Sequence, residues 1–172
     1  MVGLERGTVE LEPYRKEWVD LYEEEAERLQ NIANDWFLDF EHIGSTAIEG
    51  MLAKPIIDIL AVVETLDETE DLISRLEDHK YEYRPEDVEG RLFFAKGPHT
   101  NRTYYLSVTE RGSDFYEEKI AFRDYLRDHP EIAAQYSSLK KRLAETYPEN
   151  REQYTAAKGD FIQDVLERAM NS

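Results

Sequence analysis

An α/β fold, a small mixed β-sheet flanked by helices, is predicted by three features of the chain. The run Ile56 to Val63 is strand-sized and, Asp58 apart, apolar on both faces, as a strand inside a sheet must be. Before it, Trp18, Leu21, Tyr22, Ala26, Leu29 and Ile32 recur at helical spacing. After Gly112-Ser113 helical periodicity returns and continues to Ala169, predicting a C-terminal segment of three helices.

Taken in order, the first helix is expected over about 13–33. Pro13 suits a first helical position, and Glu23, Glu24, Glu25 and Glu27 fill much of the polar face. Trp36 to Ile43 reads as a strand ending at Gly44-Ser45, and a short helix is expected near Thr46, closed by Lys54-Pro55. Residues 67–79 form an amphipathic helix with Leu72, Ile73 and Leu76 inward. Tyr81 to Tyr83 reads as a short edge strand. Two further strands are expected at 91–96 and 103–108, with Pro98 and Asn101 in the turn between them. Phe115, Phe122 and Leu126 mark the next helix, which His129-Pro130 breaks. Ile132, Tyr136, Leu139, Leu143 and Tyr147 mark the second, ended by Pro148, and Tyr154, Ala157, Phe161, Val165 and Ala169 mark the third. No repeat or linker divides the chain. Residues 1–172 read as one domain, a sheet lobe over about 1–110 with a helical part over about 111–172.

Composition narrows the function classes. The chain has no cysteine, which removes disulfides, zinc-thiolate sites and thiol catalysis. No apolar run approaches the ~20 residues of a membrane span, and the N-terminus lacks the apolar stretch of a secretory signal, so a cytoplasmic protein with no membrane partner is expected. With 38 acidic and 21 basic residues the net charge is −17, a field that repels polyanions and argues against nucleic-acid binding. The acidity leaves two readings, a surface for a basic protein partner or adaptation to high salt. The acids are spread along the whole chain and only eight of the bases are lysine, which favours the halophilic reading.

The chemistry concentrates in residues 41–59. A strand leads into Gly44-Ser45, a turn follows, and the neighbouring strand carries Asp58. A helix N-terminus offers unpaired N–H groups to phosphate, glycine lets a ligand approach the backbone, and the Ser45 hydroxyl can donate to a phosphate oxygen. Asp58 could hold a magnesium ion bridging the same phosphates, with Lys54 neutralising charge nearby. A second reading stands beside this one. Thr46 and Glu49 form a T-x-x-E capping box that needs no ligand, and Asp58 could be paired with an arginine. His42 precedes the turn, either as a phosphate contact and acid–base group or as an inward residue bonded to backbone. Arg123, Lys140 and Lys158 lie on or beside apolar stripes. They either converge on Asp58 to bind phosphate or cover the core with their stems and pair with Asp124 or Asp58.

The segment His42-Ile43-Gly44-Ser45-Thr46-Ala47, then Ala53-Lys54-Pro55-Ile56-Ile57-Asp58-Ile59, resembles the signature of the GrpB family, within the polymerase-β-like nucleotidyltransferase superfamily. The likeness extends to Phe122-Arg123-Asp124-Tyr125-Leu126-Arg127, Tyr136 with Leu139-Lys140, and Tyr154 with Ala157-Lys158. It implies a nucleotidyltransferase-like sheet whose Gly-Ser turn and carboxylates face a nucleoside triphosphate and its Mg²⁺ or Mn²⁺. Asp58 would be the catalytic metal ligand, and His42, Gly44, Ser45, Thr46, Lys54, Arg123, Lys140 and Lys158 the phosphate-binding set. The chain departs from the superfamily pattern at polar positions. Leu60 stands where a second carboxylate two residues on would share Asp58's side of the strand. Tyr105-Leu106-Ser107 replaces a common His-x-His, and Glu49 replaces a proline before Gly50. Three functions stay open: nucleotidyl transfer, a binding module that keeps the pocket for a nucleotide or phosphorylated small molecule, and an acidic protein-interaction domain.

If the acidity is salt adaptation, the protein unfolds in low salt and recovers in molar KCl, where the Debye length shrinks to ~3 Å. Circular dichroism across a KCl series checks this, and indifference to salt overturns it.

Overall fold

The computed structural model describes residues 2–5, 8–85 and 90–171. Five strands form one mixed sheet: β1 (Phe37–Ile43), β2 (Ile57–Val63), β3 (Tyr81–Tyr83), β4 (Leu92–Lys96) and β5 (Tyr104–Glu110). Their order across the sheet is β1-β2-β5-β4-β3. β2 pairs with β1 antiparallel and with β5 parallel, so both of its backbone edges are satisfied inside the sheet. That position explains the unbroken apolar run, because helices cover both faces of β2. β3 lies at the far edge, paired only with β4.

The alternation of β2 divides its side chains between two layers. Ile57, Ile59, Ala61 and Val63 face α1 (Glu17–Ile32) and α2 (Glu70–Asp78), where they meet Trp18, Leu29, Leu72 and Leu76, all fully buried. Asp58 is absent from that cluster, its side chain belonging to the opposite face of the strand. There the chain packs α3 (Asp114–Asp128), α4 (Pro130–Thr146), α5 (Arg151–Ala157) and α6 (Gly159–Met170). A second core of Leu126, Ala133, Tyr136 and Val165 joins these helices to Ile48 and Met51, in the loop between β1 and β2. Local signals set the helix starts. Ser113 Oγ accepts from the Tyr116 N–H, Asn150 Oδ1 accepts from the Gln153 N–H, and Pro130 opens α4.

Three expectations are corrected. The first helix begins at Glu17, not Pro13, because Glu12 exchanges backbone hydrogen bonds with Ala53 and holds the chain extended there. The short helix at Thr46 is a single 3₁₀ turn, Ser45–Ala47, too short to carry a helix dipole. The last predicted helix is two, making four helices after the sheet. The helical run is interrupted at Lys158, whose ψ of −12° departs from the α-helical value near −42° just before Gly159. Among the described residues no helix is long and apolar enough to cross a membrane.

A charged group is sealed inside the α1 layer. Glu25 is 1% exposed and accepts hydrogen bonds from the Lys96 ammonium at 2.7 Å, the Tyr81 hydroxyl and Arg28. Burial pushes its carboxyl up, but these donors outweigh burial and hold it below the usual 4.5. A depressed carboxylate stabilises the fold above its unfolded pKa and loses that contribution as pH falls through the folded value. Glu25→Ala leaves Lys96 and Tyr81 without their acceptor and costs about 2–3 kcal/mol. A lowered urea midpoint checks this, together with a flatter acid limb of stability against pH below about 4.5.

Candidate functional site

The site begins where β1 ends. Ile43 pairs with Asp58 across the sheet, and Gly44 then turns the chain with φ 75° and ψ −175°. A side chain at position 44 would be strained by that φ, and its Cβ would overlap Asp58 Oδ2 and stand 3.1 Å from Cγ. Backbone and carboxylate are therefore in direct contact. Leu60, two residues along β2, is fully buried.

Side chains from the helical layer brace the loop after Gly44, several of them through its carbonyls. Arg123 Nη1 donates to the His42 carbonyl at 3.1 Å, and Arg127 donates through Nε and Nη2 to the Ala47 carbonyl at 3.0 and 2.8 Å. On α4, Ser137 Oγ accepts from the Leu52 N–H, while Lys140 Nζ donates to Ser45 Oγ at 2.7 Å and to the Leu52 carbonyl. α3 and α4 thus hold the end of β1 and the loop after it with four side chains.

Between loop, sheet and helices lies a cavity of about 290 Å³. Gly44, Ser45 and Thr46 line it from the turn, with Asp58, Tyr105 and Ser107 from the sheet. The helical wall gives Lys119, Tyr136, Lys140, Tyr154 and Lys158, with Lys54 from the loop before β2 and Arg91 from just before β4. Half of the eight lysines in the chain meet here. Counting Arg91, five basic residues face two acidic ones, Asp58 and Glu118, a formal excess of three positive charges in a protein of net charge −17. Lys54 and Lys158 flank the Tyr154 ring at 5.3 and 4.5 Å from its centre, and Lys140 lies 4.7 Å from that of Tyr136.

Crowding by like charge shows in the ionisation of the set. Burial, reinforced by neighbouring cations, lowers Lys158 to about 7 and Lys54 to about 8. Lys140 is 2% exposed and lies well below the ordinary lysine value, through burial and the charges of Lys158 and Lys54. Burial raises Asp58, against the pull of Lys54, Lys119, Lys158 and Arg91. The cleft is open at its mouth, so Asp58, Lys54 and Lys158 keep partial surface and Lys119 more, although protein atoms crowd each head group. Asp58 has no ion pair within 4 Å among the described residues. In the same wall the buried Tyr154 hydroxyl has no hydrogen-bond partner among the described residues.

Of the residues expected at the site, Gly44, Ser45, Thr46, Lys54, Asp58, Lys140 and Lys158 come together. His42 and Arg123 do not line the cavity. His42 is 6% exposed, stacks on Tyr22 at 4.7 Å and shares a 2.9 Å hydrogen bond with Thr46 Oγ1. Burial, then Arg127 and Arg123, lower it to about 4, so it is neutral at pH 7. Arg123 pairs with Glu41 at 2.7 Å and with Asp124 at 3.0 Å. The capping box does not form, since Thr46 bonds to His42 and Glu49 is exposed. Sequence reasoning missed Lys119, Arg91, Tyr105 and Ser107. Lys119 had a signal, lying four residues before Arg123 and on the face of Phe115 and Phe122; Arg91 had none.

The donor set does not fit a two-metal centre. Asp58 is a lone carboxylate facing lysines, and among the described residues no group of three His, Asp or Glu side chains is placed to hold a metal ion. Of the acids at the ends of the neighbouring strands, Glu41 pairs with Arg123 and Glu64 with Arg111.

Comparison with known proteins agrees with this architecture. The family model described as GrpB protein matches residues 8–168. The glutamate-rich protein GrpB of Alkalihalophilus pseudofirmus is 37% identical over 171 residues, covering 96% of this chain and 98% of that one. The crystal structure of the conserved protein GrpB from Enterococcus faecalis has a TM-score of 0.88 and 36% identity, over 94% of this chain and 98% of that one. Cid1 poly(U) polymerase bound to MgATP has a TM-score of 0.53 at 9% identity, over 77% of this chain and 44% of that one, a likeness of fold alone. The expected nucleotidyltransferase-like fold is borne out.

Gly44→Ala forces a left-handed φ on alanine and drives Cβ into Asp58. The expected loss is about 1–3 kcal/mol, read by thermal denaturation. An unchanged melting temperature overturns the close approach of turn and carboxylate.

Proposed function

Because the chain belongs to the GrpB family and keeps that family's fold, we propose that its cleft binds a phosphate-bearing small molecule, a nucleotide or a phosphorylated metabolite, as a binding site without a two-metal centre. One observation carries this reading: four of only eight lysines line a single cavity in a strongly acidic chain. Collecting like charges in a partly desolvated cleft destabilises the free protein, and an anionic ligand removes that strain. Lys54 and Lys158 are the amines best placed to meet the anion, with the Ser45 hydroxyl at the turn. Asp58, lifted above the usual carboxylate range, can donate a hydrogen bond to a phosphate oxygen when protonated. Tyr105, Tyr136 and Tyr154 offer flat apolar walls to the rest of the ligand, in a volume at the small end for drug-sized ligand pockets.

Binding couples to protons. An anion raises Lys158 from about 7 and Lys54 from about 8, so the complex takes up protons near pH 8 and affinity falls as pH rises above about 7. Calorimetry in buffers of differing ionisation enthalpy reads that uptake. A thermal-shift screen of nucleoside triphosphates and phosphometabolites, with and without Mg²⁺ or Mn²⁺, tests the function itself. Metal-independent stabilisation is expected, with Lys54→Ala weakening affinity about tenfold. A shift that requires metal and disappears in Asp58→Ala overturns the binding-only reading in favour of nucleotidyl transfer. Absence of any response overturns the anion site.

A further inference from the structure

The lysines of the cleft are of two kinds. Lys140 is 2% exposed and its amine is committed to Ser45 Oγ and the Leu52 carbonyl, which makes it a brace. Lys158 is placed differently. It stands at the joint of α5 and α6 and keeps partial surface within the cavity. Its Nζ lies 4.5 Å from the Tyr154 ring centre and 6.0 Å from that of Tyr136, so two fixed rings aim the stem. Among the described residues it has neither an ion pair nor a hydrogen bond from its amine. The titratable groups facing it are Lys54, Asp58 and Lys119, with Lys140 on the α4 side.

We propose that Lys158 is a nucleophilic amine, aimed by the Tyr136 and Tyr154 rings, that condenses with the carbonyl group of a phosphorylated aldehyde or ketone bound in the cleft. The inference rests on reading the cleft as an anion site. Nucleophilic lysines are made by partial desolvation beside a second cation, and Lys54 provides that cation here. Burial and Lys54 together leave Lys158 with a large uncharged fraction at neutral pH, while an ordinary surface lysine has almost none. Lys54 and Lys119 hold the phosphate, which brings the carbonyl carbon to the amine and replaces an encounter by a bound geometry.

The step balances without a co-reactant. The Nζ lone pair forms a bond to the carbonyl carbon, and the C=O π pair moves to oxygen. One proton passes from nitrogen to that oxygen, giving a carbinolamine. A second proton, from solvent at the open mouth of the cleft, lets the hydroxyl leave as water while nitrogen forms the C=N bond. Loss of the remaining N–H proton from the iminium returns that proton to solvent. The products are a neutral imine at Lys158 and one water.

Pyridoxal 5′-phosphate and phosphate-free pyridoxal are the probes, with borohydride to reduce any imine to a stable amine. Intact mass and peptide mapping on the unaltered protein count and locate the adduct. One equivalent on Lys158 is expected near pH 7.5, formed roughly tenfold or more faster by the phosphorylated aldehyde. Lys158→Arg should abolish it while thermal denaturation still reports a folded protein. Labelling spread over the exposed Lys16, Lys80 and Lys141, or equal rates with pyridoxal, overturns the proposal. Titration of the unaltered protein with inorganic pyrophosphate reads the anion site separately. Pyrophosphate binding without an adduct at Lys158 sinks this inference alone, and failure of pyrophosphate to bind sinks the anion reading beneath it.

Discussion

The loop from Gly44 to Ala53 is held by a set of polar contacts, many of them from cationic side chains, and the rest of the site depends on that grip. Arg123 and Arg127 from α3 and Lys140 from α4 all donate to backbone oxygens of this stretch and its flank. A loop of this kind carries many backbone carbonyls without a sheet or long helix to satisfy them, so donors must come from outside. Here they come from the helical layer. The same contacts that satisfy the loop therefore dock that layer against the sheet, and the cleft is the gap left between them.

Charge is segregated by depth. Acids dominate the surface, but several bases are used where solvent is scarce: Arg102, Arg123 and Lys140 are buried, and Lys96 reaches in to Glu25. Lysine and arginine carry long apolar stems that can lie along hydrophobic walls while the head finds a carbonyl or carboxylate. A chain of net charge −17 thus presents a repulsive exterior to polyanions and a cationic interior cleft.

Asp58 illustrates how its neighbours decide what a carboxylate can do. With Leu60 buried at the following same-face position, the carboxylate has no acidic neighbour to share a cation. Its surroundings are instead Lys54, Lys119, Lys158 and Arg91, with the Gly44 backbone pressed against it. A group so placed tempers the mutual repulsion of the lysines and can exchange a proton with them. The nucleotidyltransferase-like fold is kept, while the side chains gathered around Asp58 are cations and no second carboxylate stands beside it on the strand.

Short-range pattern was enough for the sheet. The apolar run over β2, the edge position of Tyr81 to Tyr83 and the helical periodicities of α1 to α4 were legible because burial imposes a period that local sequence must carry. The same holds for Gly44, whose positive φ only glycine accepts without strain, and for Asp58, conspicuous in an apolar strand. Contacts between distant residues carry no such signature. Nothing near His42 or Arg123 in the chain discloses that Tyr22 stacks on one and Glu41 claims the other. Nor does spacing reveal that Arg91 and Lys119 join Lys54 and Lys158 across more than a hundred residues, or that the last helical run is interrupted at Lys158. Sequence by itself determined which elements form and which polar residues stand out among them. Tertiary structure alone decided which charges meet, because the energy of a pair depends on separation and burial in space, and neither is written in order along the chain.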